Sequence, residues 1–208
     1  MKNDLHFEIF PEEQKELFDI LSELDWITNF YLAGGTALAL QIGHRQSIDF
    51  DFFTPDNFIT SKIIHKLTDI GELELFAESE NTINGSLNNV RISFFKYKYP
   101  LLEKTYNIKN IRIANPLDIA VMKLEAISGR GSKKDFIDLY YILNIFLIEK
   151  LFEKYQQKYK QEITNNYHLM KSLIYFEDAE HLPMPVMIEE ISWSKIKESL
   201  IQKIKNII

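Results

Sequence analysis

Cysteine is absent from the 208 residues, which excludes disulfides, thiolate zinc sites and a cysteine nucleophile. Histidine is scarce, five residues in no ligand-like spacing, which weighs against a metal phosphodiesterase, whose sites commonly use several imidazoles. No apolar run approaches the roughly 18 residues of a membrane span. The opening stretch, MKNDLHFEIFPEEQKELF, is too polar for a signal peptide, so the expectation is a cytoplasmic protein with no membrane partner. Positive charge is also short. A net charge of −6 argues against a protein that coats nucleic acid through many phosphate contacts, while leaving room for an enzyme with a local basic patch. What is plentiful is core material: 46% hydrophobic and 13% aromatic residues, too much for wholesale disorder.

Periodicity divides the chain. Helical spacing predicts helices over 11–26, 36–42 and 60–70, around a short apolar run, FYLA, and a strand over 47–53. Alternation then predicts strands over 73–76, 82–87, 90–97 and 108–113, with Gly85 and Asn88-Asn89 as turn residues. Beyond Pro116 the pattern is helical: 116–128, 133–147, 149–160, 165–176 and 194–207, with 177–193 read as a linker. The expected fold is α+β, with a small mixed or antiparallel sheet and flanking helices in residues 1–113, then a helical region in 114–208.

The strand over 47–53 carries aspartates at alternate positions, so Asp49, Asp51 and Phe53 face one way, and Ile48, Phe50 and Phe52 face a core. Asp is a poor strand former. Two carboxylates about 4 Å apart repel by several kcal/mol at an effective dielectric near 20. An ordinary strand with an acidic solvent face is one reading. The other is a dication, Mg²⁺ or Mn²⁺, held with substrate phosphates. Gly34-Gly35-Thr36 precedes this strand at a strand-to-helix junction, where glycines admit a ligand and helix N–H groups attract anions. Thr36 is either the N-cap or a phosphate donor. Arg45 and Ser47 either contact phosphate or fix the turn, and His44 is read as structural.

A second cluster lies in KLEAISGRGSKKDFIDLYYIL. Lys123 and Arg130, seven residues apart, lie near one helical face. Ser132 to Asp135 has the form of a capping box, and Asp138 follows one turn later. These acids form a site or simply pair with Lys123 and Arg130.

The segment GGTALALQIGHRQSIDFDFF resembles the first motif of the AbiEii/AbiGii-type nucleotidyltransferases, within the DNA polymerase β-like superfamily: a glycine turn, a short helix, then R-x-S-x-D-x-D on a strand. The second cluster is similar to that family's later motif, with Lys123, Ala126, Arg130, Lys134, Asp135, Asp138 and Leu139 all matching. The resemblance covers most of 30–145. It implies a polymerase β-like fold and transfer of NMP from an NTP to an acceptor hydroxyl, with the 3′ end of a tRNA or another RNA as acceptor and a toxin role beside a cognate antitoxin. It further implies that Asp49 and Asp51 bind the metal. Gly34, Gly35, Thr36, Arg45, Ser47 and Arg130 then hold the nucleotide, Lys123 meets the triphosphate, and Asp135 and Asp138 support catalysis. One departure stands out. Such transferases usually place a third carboxylate on a neighbouring strand, and in NVRISFFKYKYP the corresponding position is Ser93. This motivates an alternative, a non-catalytic nucleotide- or RNA-binding module acting with a partner. Arg91, Lys96, Lys98, Lys104, Lys109 and Arg112, interspersed with Tyr97, Tyr99 and Tyr106, form a candidate basic edge for an RNA strand or a solvated edge that discourages aggregation.

Overall fold

The computed structural model describes residues 5–160 and 166–205; the outer ends of the helices expected over 165–176 and 194–207 lie outside these. The chain divides into two units, Met1–Pro100 with Lys104–Asn115, and Leu101–Glu103 with Pro116–Ile208.

In the first unit, strands β1 (Tyr31–Ala33), β2 (Asp49–Thr54), β3 (Leu73–Ser79), β4 (Thr82–Leu87), β5 (Val90–Lys96), β6 (Tyr106–Ile108) and β7 (Ile111–Ile113) form one mixed sheet. Its order is β3-β4-β5-β2-β1-β7-β6. β2 runs parallel to β5 and antiparallel to β1, and β1 runs parallel to β7. Helices α1 (Glu12–Ser22), α2 (Gly34–Ile42) and α3 (Thr60–Thr68) accompany it. Leu32, Phe50, Phe52, Ile83, Ile92, Phe94, Ile111 and Ile113 are buried together with Leu17, Phe18 and Leu21 of α1. Phe52 stacks on Phe94 at 5.2 Å, and Phe50 meets Phe18 at 6.1 Å. Burial along β2 alternates, with Phe50 and Phe52 enclosed and Asp49, Asp51 and Phe53 partly open.

Several expectations change. Ile48 is 52% exposed, because the strand begins only at Asp49 and the alternation does not reach back to it. Residues 108–113 are not one strand: Lys109 adopts φ +48° and turns β6 into β7. Gly85 is no turn residue. It sits within β4 where a side chain would lie 2.4 Å from the Glu74 carbonyl oxygen, opposite the bulge between Leu75 and Ala77. The first helix ends at Ser22, and a 3₁₀ turn, Asp25–Asn29, follows.

In the second unit, α4 (Pro116–Gly129) packs against α5 (Lys133–Ile142), α6 (Ile148–Tyr159) and α7 (Asn166–Ser172), and α5 packs against α9 (Trp193–Lys205). The segment expected to be a linker contains a short helix, α8 (Glu177–Glu180). α5 stops at Ile142, five residues before its expected end. Trp193 and Phe176 close over Phe136, with ring centroids 4.9–6.1 Å apart. The first turn of α4 carries Asp118, fully buried. Its carboxylate accepts from the backbone N–H groups of Leu102 and Glu103 and from Lys158 Nζ at 2.8 Å, which ties residues 101–103 to the helices.

Candidate active site

The first constellation is built by two strands and a turn. β1 ends at Ala33, whose extended backbone is the N-cap of α2 and offers no side-chain acceptor to the first helical N–H groups. Gly34 and Gly35 therefore occupy the first turn, and Thr36 is not the N-cap. Gly34 holds φ +72°, and a Cβ on it would lie 2.7 Å from Asp51 Oδ2. Its backbone thus lies directly against that carboxylate, and both the left-handed conformation and the contact require glycine. A Cβ on Gly35 would lie 2.4 Å from Arg45 Nη2 and 3.2 Å from Ser47 Oγ.

Arg45 is 2% exposed, and its Nη1 donates to the Gln46 carbonyl at 2.9 Å. It backs the glycine turn from inside. The Thr36 hydroxyl donates to the Asp49 carbonyl and shares a 2.9 Å hydrogen bond with the Ser47 hydroxyl, so helix and strand are pinned together. Gln14 of α1, 1% exposed, donates to the Ser47 carbonyl at 2.9 Å. Sequence reasoning missed Gln14; its only signal was a polar residue one turn before Leu17 on the core face of α1. His44 is buried, as its structural reading requires.

Pairing register defines the face that carries the acids. Ala33 lies opposite Asp51, Asp51 opposite Ser93, and Ser93 opposite Asn84. Asp49 lies opposite Arg91 and Phe53 opposite Phe95. Ser93 is thus the immediate cross-strand neighbour of Asp51, and no carboxylate stands there. Among the described residues, no three acidic, histidine or cysteine side chains converge as a metal cluster. The fit to a dication therefore rests on two carboxylates on one open strand face, with Gly34 keeping the space beside Asp51 free of a side chain.

The second constellation is internal to the helical unit. Lys123 Nζ lies 2.8 Å from Asp135 Oδ1 and 2.6 Å from Asp138 Oδ2, with all three residues buried. Asp135 also accepts from Arg130 Nε at 3.0 Å and from the Ser132 hydroxyl at 2.7 Å. Burial alone raises the Asp135 carboxyl, but the charges of Lys123 and Arg130 and their hydrogen bonds outweigh it, and the pKa falls to about 2. Ser132 is the N-cap of α5, its hydroxyl accepting from the Asp135 N–H. The two acids lie one turn apart on α5 and converge on the lysine of α4, the pairing that the motif raised as one alternative, on a helix capped by Ser132.

The basic residues do not form one edge. Arg91 and Lys96 lie on β5 and Arg112 on β7, with β2 and β1 between them. Lys109 pairs with Glu23, Arg112 donates to the Thr28 carbonyl, and Arg91 lies over Phe76. At the end of β5, Tyr97 contacts Phe53 at 5.7 Å and Tyr99 at 5.3 Å, and Lys98 lies over Tyr99.

Comparison with known proteins agrees with this architecture. Residues 15–110 match the model of the family described as nucleotidyl transferase AbiEii toxin, type IV toxin–antitoxin system. The chain is 39% identical to the uncharacterized protein aq_aa25 of Aquifex aeolicus, over 93% of this chain and 95% of that one. Among solved structures, JHP933 from Helicobacter pylori is similar in fold, with a TM-score of 0.57 at 15% identity, over 98% of this chain and 93% of that one. MenT4, a nucleotidyltransferase toxin from Mycobacterium tuberculosis, gives 0.54 at 12% identity, over 93% and 84%. The fold is that of a nucleotidyltransferase. The chain belongs to the AbiEii nucleotidyltransferase family, and its enzymatic class is nucleotidyl transfer. Among the described residues no helix is long and apolar enough to cross a membrane.

Proposed function

We propose that this chain transfers an NMP from a divalent-metal–NTP complex to a hydroxyl at the end of an RNA, a tRNA 3′ end being the expected acceptor, as a toxin paired with a cognate antitoxin. The observation that carries this is the close approach of Gly34 to Asp51, which sets a helix N-terminus without a capping side chain beside a strand carboxylate. Such an N-terminus attracts phosphate, and Asp49 and Asp51 supply hard oxygens suited to Mg²⁺ or Mn²⁺. When bound there, the metal would screen the charge of the phosphates.

Gly34 and Gly35 give the phosphates access to the backbone, while Arg45, Ser47 and Thr36 hold the turn rigid. Within the helical unit, Asp135 and Asp138 hold Lys123 and position it rather than act as bases, because both are buried against it. The acceptor oxygen attacks the α-phosphorus in line, a new P–O bond forms, and pyrophosphate leaves with the electrons of the broken bond. The hydroxyl proton passes to water, since position 93 carries serine where a carboxylate base would stand. Tyr97 and Tyr99 beside Lys98 support an RNA acceptor, offering faces on which bases stack. Isothermal titration of each NTP with Mg²⁺ tests the metal role. Binding is expected to need Mg²⁺ and to be lost in Asp49→Asn/Asp51→Asn; unchanged metal-dependent binding in that double variant would overturn it.

A further inference from the structure

The helical unit contains a cavity of about 510 Å³ between the end of α4, α7 and α8. The turn Gly129–Gly131 forms one wall, and Arg130, His168, Lys171, Ser172, Tyr175 and Asp178 supply its polar lining. Three of these six side chains are cationic or become so on protonation, against one carboxylate. Arg130 is held in place from behind by Asp135, to which Nε and Nη2 both donate, yet its side chain remains 69% exposed. Lys171 lies 4.3 Å over the Tyr167 ring, and Tyr175, 57% exposed, presents an aromatic ring at the rim. A cavity of this size, with a fixed guanidinium, further cations and an aromatic wall, matches a phosphate ester carrying a planar base.

We propose that this cavity binds a nucleotide phosphate ester independently of the metal–NTP site. The phosphate meets Arg130, His168 and Lys171, the base lies against Tyr175, and Asp178 accepts from a sugar hydroxyl or a base amino group. This assignment does not depend on the role given to Asp49 and Asp51.

The test is titration of the full chain in EDTA with two probes, uridine 5′-monophosphate and a uridine trinucleotide. Saturable binding is expected, weakened about tenfold or more in His168→Ala/Lys171→Ala, retained in Asp49→Asn/Asp51→Asn, and retained in a charge-matched control, Lys150→Ala/Lys195→Ala. Tighter binding of the trinucleotide identifies an RNA backbone as the source of the phosphate, and equal binding identifies a free nucleotide. Absence of saturation with both probes overturns the assignment. So does binding unchanged in His168→Ala/Lys171→Ala, or an equal loss in the control. His168, Lys171, Lys150 and Lys195 lie on the surface, and matching thermal melts verify that the variants fold.

Discussion

Replacing Asp135 by Asn removes one charge from a buried cluster at almost constant volume. The folded carboxyl titrates at about 2 against an ordinary 3.8. At about 1.4 kcal/mol per pKa unit, the folded surroundings favour its ionised form by about 2 kcal/mol. Because the folded value lies below the unfolded one, this contribution is complete above about pH 4 and is lost as pH falls towards about 2. The Asn variant lacks it at every pH and leaves Lys123 with Asp138 as its remaining aspartate of the pair, so the expected loss at neutral pH is about 2–4 kcal/mol. Urea unfolding followed by the fluorescence of Trp193, which packs on Phe136 and Phe176 in the same unit, measures it. The gap between the two proteins should stay constant from about pH 7 to pH 5 and shrink by roughly a kcal/mol at pH 3. A variant within about 0.5 kcal/mol of the parent at neutral pH, or a gap that does not narrow in acid, would refute the reasoning.

Three further outcomes are expected. Gly34→Ala must adopt φ +72° and place its Cβ 2.7 Å from Asp51 Oδ2; a cost of about 1–2 kcal/mol in stability should accompany at least a tenfold loss of Mg²⁺–NTP affinity by titration, and intact affinity contradicts the placement of the turn. Lys158→Met leaves the fully buried Asp118 with backbone donors but without its cation, and urea unfolding should report a loss of about 3–5 kcal/mol; a loss under about 1 kcal/mol would show the pair to be dispensable. Ser93→Asp sets a third carboxylate opposite Asp51. Mn²⁺ binding measured by electron paramagnetic resonance should tighten about tenfold, and unchanged or weaker binding means that position 93 does not face the metal.

The strand-turn-helix-strand path through 31–54 was legible because each step has a local cause: two glycines at the turn, Gly43 closing the helix at φ +64°, and an alternation that buries Phe50 and Phe52. The Lys123, Asp135 and Asp138 cluster was legible as candidates, since helical spacing brings residues three apart to one side. Their convergence on one another was not, because it depends on how α4 and α5 pack. Register was not legible in the periodicity: the family resemblance pointed to Ser93 as the neighbouring-strand position, and the parallel pairing of β2 with β5 sets it opposite Asp51. The β6–β7 turn escaped notice because Lys109 takes a left-handed conformation without the glycine or asparagine that usually signals one. The Asp118–Lys158 pair joins residues 40 apart, and nothing local marks either as buried.

The central claim is that Asp49 and Asp51 serve nucleotidyl transfer, and α-phosphate-labelled NTPs test it most directly. Each of the four, incubated with Mg²⁺ and whole-cell RNA, should reveal at least one that labels RNA, and the label should vanish with EDTA or in Asp51→Asn. Transfer that persists undiminished in Asp51→Asn, or tight NTP binding with no transfer to any RNA, would contradict it.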